Sequence, residues 1–466
     1  MCNPSPLLWL ESRMLFGMKA GLENMGAICK ALGNPHRQLR TIHVVGTNGK
    51  GSTSFWLMRI LEAHGLHVGL FTSPHLVSMR ERIRVGDSPI SHDDLCRCLE
   101  QVRTASANLE VTFFEALTAV AFLWFSEQNT DVVILEGGLG GRLDSTNLCN
   151  STIAVLTSIG LDHTEILGDS LDKILYEKLG VWKPGATLIH NLQDASLCAQ
   201  IRDSQEVMNI SDPGLQQVIR DPRSREDGTL GSAHETSVSG VTTNGNDTRL
   251  LQQFHSANAF SVVTDTTLCL PQAGLVYQEN ASLSMAAAKL FLGVRFEENI
   301  ARETLQNAVW AGRQQQLHNA QTGAVDWIID GAHNGHAALR LAETLRTSYP
   351  GQKFPLVLAI LKTKTPEEIL TPLLPLLSEI ILTRTPHPKM REPSELAELF
   401  AQFVGNLPVH IVTDVPEALR IAGQIPGVKL CTGSLYFVGA VVEELKNDYA
   451  ELTWFRQFSP DDNERK

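Results

Sequence analysis

Thr41-Ile42-His43-Val44-Val45-Gly46-Thr47-Asn48-Gly49-Lys50-Gly51-Ser52-Thr53 is the stretch on which the reading of this chain turns. A short apolar run, Thr41 to Val45, ends in a glycine-rich turn, and Ser52 to His64 then reads as a helix. Glycines let the backbone wrap a phosphate and turn several N–H groups inward. Lys50 adds a point charge, the helix N-terminus adds its dipole, and Ser52 or Thr53 offers a hydroxyl for magnesium. The string departs from the standard phosphate loop, because Gly51 stands between the lysine and the hydroxyl residue.

Strand and helix alternate outward from this turn. His67 to Phe71 reads as a second strand, Glu81 to Ile90 as a hairpin around Gly86-Asp87, and Ser91, with Asp94 three residues on, as a helix cap. A helix over about 113 to 127 leads into Asp131 to Glu136, a buried strand ending on an acid, and Ile153 to Ile159 is the next strand. From about 203 to 246 Ser, Thr, Asp, Asn and Gly dominate, which predicts a loop-rich stretch, and a helix resumes near Asn280 to Leu292. A second alternating series has strands at Val325 to Asp330, Pro355 to Leu361, Glu379 to Thr383, Val409 to Val412 and Val428 to Cys431. Such alternation predicts parallel sheets covered by helices. The expected fold is α/β: a mostly parallel-sheet P-loop ATPase domain over residues 1–312, then a smaller Rossmann-like α/β domain over residues 313–466.

Bulk properties agree with that picture. A chain of 466 residues is too long for one compact core. Its formal charge of −12 argues against nucleic acid or an anionic membrane as the main partner, while leaving room for a local anion site. The eight cysteines show no disulfide or metal spacing, and Cys96-x-Cys98 has no partner pair. No signal-peptide pattern and no run of about 18 apolar residues appear, so a cytoplasmic location is expected; the chain is separately expected to be a monomer.

Several further residues carry chemistry. Glu136 follows four apolar residues and stands where a magnesium–nucleotide would need an acid. The loop Gly137-Gly138-Leu139-Gly140-Gly141-Arg142-Leu143-Asp144-Ser145-Thr146-Asn147 suits close backbone approach to a ligand at the sheet's C-terminal edge. His163, in Gly160-Leu161-Asp162-His163-Thr164, follows a strand end on the same side. Lys178 reads on composition alone as an exposed helix lysine without a role. Arg313 lies at the domain junction, and Asp330-Gly331-Ala332-His333-Asn334 closes one strand and opens a helix.

Taken in order, GTNGKGST, FTSPHL, FFEALTAVAF, ILEGGLGGRLDSTN, TSIGLDHTEILG, EKLGVWKPG, DGAHN and TGSLY resemble the folylpolyglutamate synthase and dihydrofolate synthase family, relatives of the Mur ligases. The resemblance covers roughly residues 20–195 and 275–440. It implies an ATP-dependent ligase that joins L-glutamate to dihydropteroate or tetrahydrofolate through an acyl phosphate, with Mg²⁺ as cofactor and ATP as co-substrate. Asn48, Gly49, Lys50 and Gly51 would hold the ATP phosphates; Ser52, Glu136 and His163 would be magnesium ligands. Lys178 matches a carbamylated lysine whose added carboxylate helps hold a second magnesium. Ser73, Pro74, His75, Phe113, Phe114, Leu143, Asp144 and Ser145 match segments lining the pteroate site. Asn280, Arg313 and Asp330 match nucleotide contacts, and His333 and Ser434 match the region of the incoming amino acid. Two strings differ from the family pattern: Gln314 follows Arg313 where an acid is usual, and Thr363-Lys364-Thr365 replaces Asp-Lys-Asp. A Mur-type amino-acid ligase, or an ATP-binding homologue that has lost ligation, are the open alternatives.

Overall fold

A computed structural model describes residues 5–15, 21–208, 251–253, 259–272 and 274–458. The first sheet is built from β1 (Thr41–Val45), β2 (Val68–Phe71), β3 (Ile83–Val85), β4 (Ser88–Pro89), β5 (Val132–Glu136), β6 (Ile153–Leu156), β7 (Thr187–His190), β8 (Leu251–Gln253) and β9 (Ala259–Val262). Their order is β4-β3-β2-β5-β1-β6-β7-β9-β8. The strands from β2 to β9 pair in parallel, and the flanking pairs β2–β3, β3–β4 and β8–β9 are antiparallel.

Side chains sort by strand periodicity. On β5, Val132 and Ile134 enter one core while Val133 and Leu135 enter the core on the opposite face. The first core packs the helix Lys50–Ala63 against the helix Leu275–Leu292, and Trp56 Nε1 donates to the Ala308 carbonyl at 2.9 Å. The second holds the helices His92–Ala105 and Phe113–Glu127. The latter starts at a capping box: Glu115 N donates to Thr112 Oγ1 (3.2 Å) and Thr112 N to Glu115 Oε2 (2.8 Å).

The second sheet comprises β10 (Gln315–His318), β11 (Val325–Ile329), β12 (Phe354–Leu358), β13 (Leu377–Leu382), β14 (Val409–Ile411) and β15 (Lys429–Thr432), in the order β10-β11-β15-β12-β13-β14. All its pairs are parallel except β10–β11. Two expectations need correcting. Residues 203–208 finish the helix Ala195–Met208 rather than begin a loop, and 209–246 lie outside the described residues. Gln315–His318, for which no element was read above, is an edge strand held by its antiparallel partner.

Among the described residues, three histidines are buried in the first unit. His43 and His190 have no exposed surface and His36 is 6% exposed. Burial, the main cause in each, lowers the imidazole from 6.5 to about 3 in His43 and about 4 in His36 and His190. They are neutral in the fold and take up protons in the unfolded chain below 6.5, so their contribution is complete above that pH and is lost as pH falls toward 4. Thermal unfolding should show a steady drop in Tm between about pH 6.5 and 4.5. A Tm unchanged across that window would contradict this reading.

Candidate active site

The C-terminal ends of β1, β5 and β6 and of β11 border one cleft with a cavity volume of about 370 Å³. On its floor, β1 runs through Gly46-Thr47-Asn48-Gly49 into the helix that begins at Lys50. Gly49 has φ +85°, and a Cβ there would sit 2.4 Å from Asn280 Oδ1, so the turn admits only glycine. Lys50 curls back on its own loop, donating to the carbonyls of Gly46 (3.0 Å) and Thr47 (3.1 Å). A Cβ at Gly51 would lie 3.2 Å from Trp310 Nε1, a tight approach, and at an ordinary 3.6 Å from Glu136 Oε2.

Glu136 ends β5 only 4% exposed and accepts the Ser73 N–H at 3.0 Å through Oε2. Burial raises its carboxyl and lowers the Lys50 ammonium; each group's charge partly offsets the other's shift. Lys178 corrects the sequence reading outright. It is 4% exposed, and Nζ donates to the Gly46 carbonyl at 2.9 Å. Burial first, then the charge of Lys50, lowers its ammonium to about 7. The helix Leu171–Leu179 brings it there because Gly141 packs on its end, with room for no side chain: a Cβ would meet the carbonyls of Lys178 and Glu177 at 2.8 and 2.9 Å.

Ser52 and His163 also line the cleft, His163 at its exposed mouth with φ 51°. Among the described residues, no three His, Cys, Asp or Glu side chains gather as a metal cage. The donors present still fit magnesium. That ion keeps several waters and binds through one or two carboxylates plus substrate phosphates, and Glu136 beside the Ser52 hydroxyl is such a set.

The opposite wall belongs to the second sheet. Asp330, at the end of β11, accepts from Gln314 N (2.8 Å), Ala332 N (2.8 Å) and Tyr277 OH (3.2 Å). Arg313 lines the cleft beside it. His333 Nδ1 lies 2.8 Å from the Gly331 carbonyl, which can only accept, so Nδ1 carries the proton and Nε2 keeps a lone pair. Burial lowers this imidazole to about 4.

Sequence reasoning placed Asn48 at the phosphates but missed the contacts that join the two walls. Asn48 in the phosphate loop meets His336 Nδ1 at 3.0 Å and Asn334 Nδ2 at 3.3 Å. Asp162 accepts from Asn334 Nδ2 (3.0 Å) and from Lys364 Nζ (2.8 Å), and the lysine, with hydrogen bonding foremost among the offsets to burial, holds its carboxyl at about 2. Lys364 is the middle residue of the Thr363-Lys364-Thr365 departure, so its charge was the available signal.

Asn48, Gly49, Lys50, Gly51, Ser52, Ser73, Pro74, Glu136, His163, Lys178, Asn280, Arg313, Asp330 and His333 all reach this cleft. The remaining expected residues do not line this cavity. Asp144 is buried and accepts from Leu139 N (2.7 Å) and Thr146 N (3.0 Å), supporting the glycine loop. Ser145 is buried and Leu143 half-buried in that same turn. Phe114 packs beneath Gly138 and against Phe71, Phe113 lies under the Arg82 guanidinium, and His75 Nδ1 accepts from Arg82 Nε at 2.8 Å. Ser434 caps its helix, accepting the Tyr436 N–H at 3.2 Å.

Residues 44–264 match the Mur ligase middle domain, and residues 313–444 match the C-terminal domain of dihydrofolate synthetase. The dihydrofolate synthase/folylpolyglutamate synthase of Bacillus subtilis is 31% identical over 455 residues, covering 94% of this chain and 98% of that one. FolC of Escherichia coli, solved in complex with DHPP and ADP, superposes with a TM-score of 0.74 at 25% identity, over 96% of this chain and 99% of that chain. A bifunctional folylpolyglutamate synthase/dihydrofolate synthase with Mn, AMPPNP and L-glutamate bound gives a TM-score of 0.73 at 26% identity, over 95% and 98% of the two chains. Likeness of that extent, in sequence and in overall fold, means that the chain belongs to the dihydrofolate synthase/folylpolyglutamate synthase family of ATP-dependent ligases.

Proposed function

We propose that this chain joins L-glutamate to a folate-type carboxylate, dihydropteroate or a tetrahydrofolate, through an acyl phosphate made from ATP. One observation carries the reading: Lys50 and Lys178 converge on the Gly46 carbonyl beside Glu136, across the cleft from Arg313 and His333. The N–H groups of the phosphate loop and Lys50 bind the triphosphate of ATP, with Asn280, Arg313 and Asp330 on the nucleotide's other side. Magnesium, held by Ser52 and Glu136 with His163 at the mouth, would neutralise phosphate charge. The substrate carboxylate attacks the γ-phosphorus and ADP leaves; Lys50 offsets the charge spread over the transferring group. The glutamate amine then attacks the acyl carbon, a proton is lost from nitrogen, and phosphate is expelled.

Each wall has its own task in this scheme. Residues 1–312 make the acyl phosphate, and residues 313–466 close over it and present the amine. The neutral His333, with Nε2 as an acceptor, suits an incoming ammonium group. Closure through Asn48, Asp162 and Lys364 excludes water that would destroy the acyl phosphate. Lys178 is half neutral near pH 7, the form that adds CO₂ to give a carbamate and a proton. Free cysteines among the described residues, and the lack there of a helix long and apolar enough to cross a membrane, accord with the cytoplasm as the place of action.

Labelled glutamate, ATP and magnesium with dihydropteroate or tetrahydrofolate test the reading. The unaltered chain should form product, and Lys50→Ala should lose at least about a hundredfold in rate while staying folded. Activity within threefold of the unaltered chain, roughly 0.7 kcal/mol, would remove Lys50 from the phosphate site. His333→Ala should leave the ATP requirement nearly unchanged, raise the glutamate KM, and release some phosphate without product. An unchanged glutamate KM with phosphate and product still equal would take His333 out of the amine site.

A further inference from the structure

The loop that follows Glu136 and the helix Leu171–Leu179, which carries Lys178, meet backbone to backbone. A Cβ on Gly180 would sit 2.5 Å from Arg142 Cα, just as one on Gly141 would meet the Lys178 carbonyl. So close an approach leaves the seam to hydrogen bonds, and the helix ends with carbonyls that its own turns cannot satisfy. Arg142 N answers one of them, donating to the Glu177 carbonyl at 2.7 Å. The Gly180 carbonyl, just past Lys178, is answered by a side chain. Asn147 Nδ2 donates to it at 3.0 Å and to the Arg142 carbonyl, also at 3.0 Å.

Asn147 is buried and is itself held from two sides. Lys183 Nζ donates to its carbonyl and to that of Cys149 (2.5 and 2.8 Å), and the neighbouring Thr146 Oγ1 bonds His43 Nε2 on β1 at 2.8 Å. Its Oδ1 is buried without a hydrogen-bond partner. Turned over, the amide would set that oxygen against two carbonyl oxygens, so the two donor bonds decide its orientation. A buried acceptor left unpaired costs about 1–3 kcal/mol. Two bonds from the same amide offset that cost and join two chain segments at one point. The helix's other contacts do less to fix its end. Ile174, Leu175 and Leu179 bury apolar surface, which is non-directional, and the Arg142–Glu177 ion pair lies partly in solvent.

We propose that Asn147 is a positioning residue for the reaction. By tying the end of this helix to the loop after Glu136, it sets where the Lys178 ammonium stands, 2.9 Å from the Gly46 carbonyl of the phosphate loop. Asn147 does not line the cleft, so it acts through Lys178 and not on a ligand. A shift of about 1 Å in a group at a reacting centre can cost about a hundredfold in rate, so two hydrogen bonds outside the cleft bear on turnover. The inference rests on the ligase reading above and adds to it a residue outside the cleft.

Asn147→Asp in the full chain tests it, because that change keeps the side chain's shape and removes both donors. With dihydropteroate, ATP and glutamate varied in turn, kcat should fall at least about tenfold while the three KM values stay within about twofold. In a Lys178→Ala background the same substitution should change the rate by less than about twofold, since the group it positions is gone. An unchanged kcat overturns the inference. So does an equal loss in both backgrounds, which a purely structural brace would give. Where the Lys178→Ala chain is too slow to measure, the crystal structure of Asn147→Asp decides. An ammonium displaced from the Gly46 carbonyl supports the inference, and one still 2.9 Å from it overturns it. If Asn147→Asp fails to fold, Asn147→Ser takes its place. A hydroxyl donates to one carbonyl at most, so a smaller loss of kcat with the same cancellation is expected, and full activity overturns the inference. Product from the unaltered chain that Asn147→Asp leaves undiminished sinks this inference alone. No product from the unaltered chain sinks the ligase reading and this inference with it.

Discussion

The carbonyl oxygen of Gly46 accepts hydrogen bonds from two lysines, Lys50 at 3.0 Å and Lys178 at 2.9 Å. Two ammonium groups in one buried corner disfavour each other, and burial disfavours both. The carboxylates of Glu136, Asp162 and Asp144 offset part of that cost for Lys50, and those of Asp162 and Asp144 for Lys178; in the proposed function bound phosphates would offset more. The rest of the first sheet serves this corner. β1 delivers the loop, β5 delivers Glu136, and Gly141 lets the helix with Lys178 approach to backbone contact.

The second sheet closes the corner with polar rather than apolar contacts. Asn48 and Asp162 on one wall meet Asn334, His336 and Lys364 on the other. Lys364 and Asp162 are 13% and 14% exposed, so their pairing is less screened than a surface bridge. Contacts of this kind can be exchanged for ligand contacts when the cleft opens and closes, whereas a packed apolar seam would resist separation. Arg84, Trp310 and Trp454 join the two walls on another side, where a second cavity lies.

Much of this was legible in the sequence, for reasons that can be named. The phosphate loop and the helix over 113–127 were readable because glycine placement and apolar periodicity are local signals, and the Thr112–Glu115 capping box sharpens the helix start. Glu136, His163 and Asp330 were read from strand ends, whereas Ser73, Pro74, Lys178 and Asn280 came only with the family resemblance. Lys178 was misread on composition because its burial comes from Gly141, more than thirty residues earlier, and from Gly46 across the fold. Asp144 and Phe114 entered as substrate contacts only through the family resemblance; in the fold Asp144 accepts from Leu139 N and Phe114 packs under Gly138. β10 escaped notice because Gln315-Gln316-Leu317-His318 has little apolar content and is a strand only through its pairing with β11. Lys364 offered only its charge as a signal, and it is the tertiary fold that brings it to Asp162.

The central claim is that the acceptor's own carboxylate becomes phosphorylated in this cleft before the amine attacks. The most direct measurement uses dihydropteroate labelled with oxygen-18 in its carboxylate, together with ATP, magnesium and glutamate, and follows the label into phosphate by mass spectrometry. The account predicts one labelled oxygen in the released phosphate for each amide bond formed. Phosphate free of label, or label recovered in AMP, would contradict it.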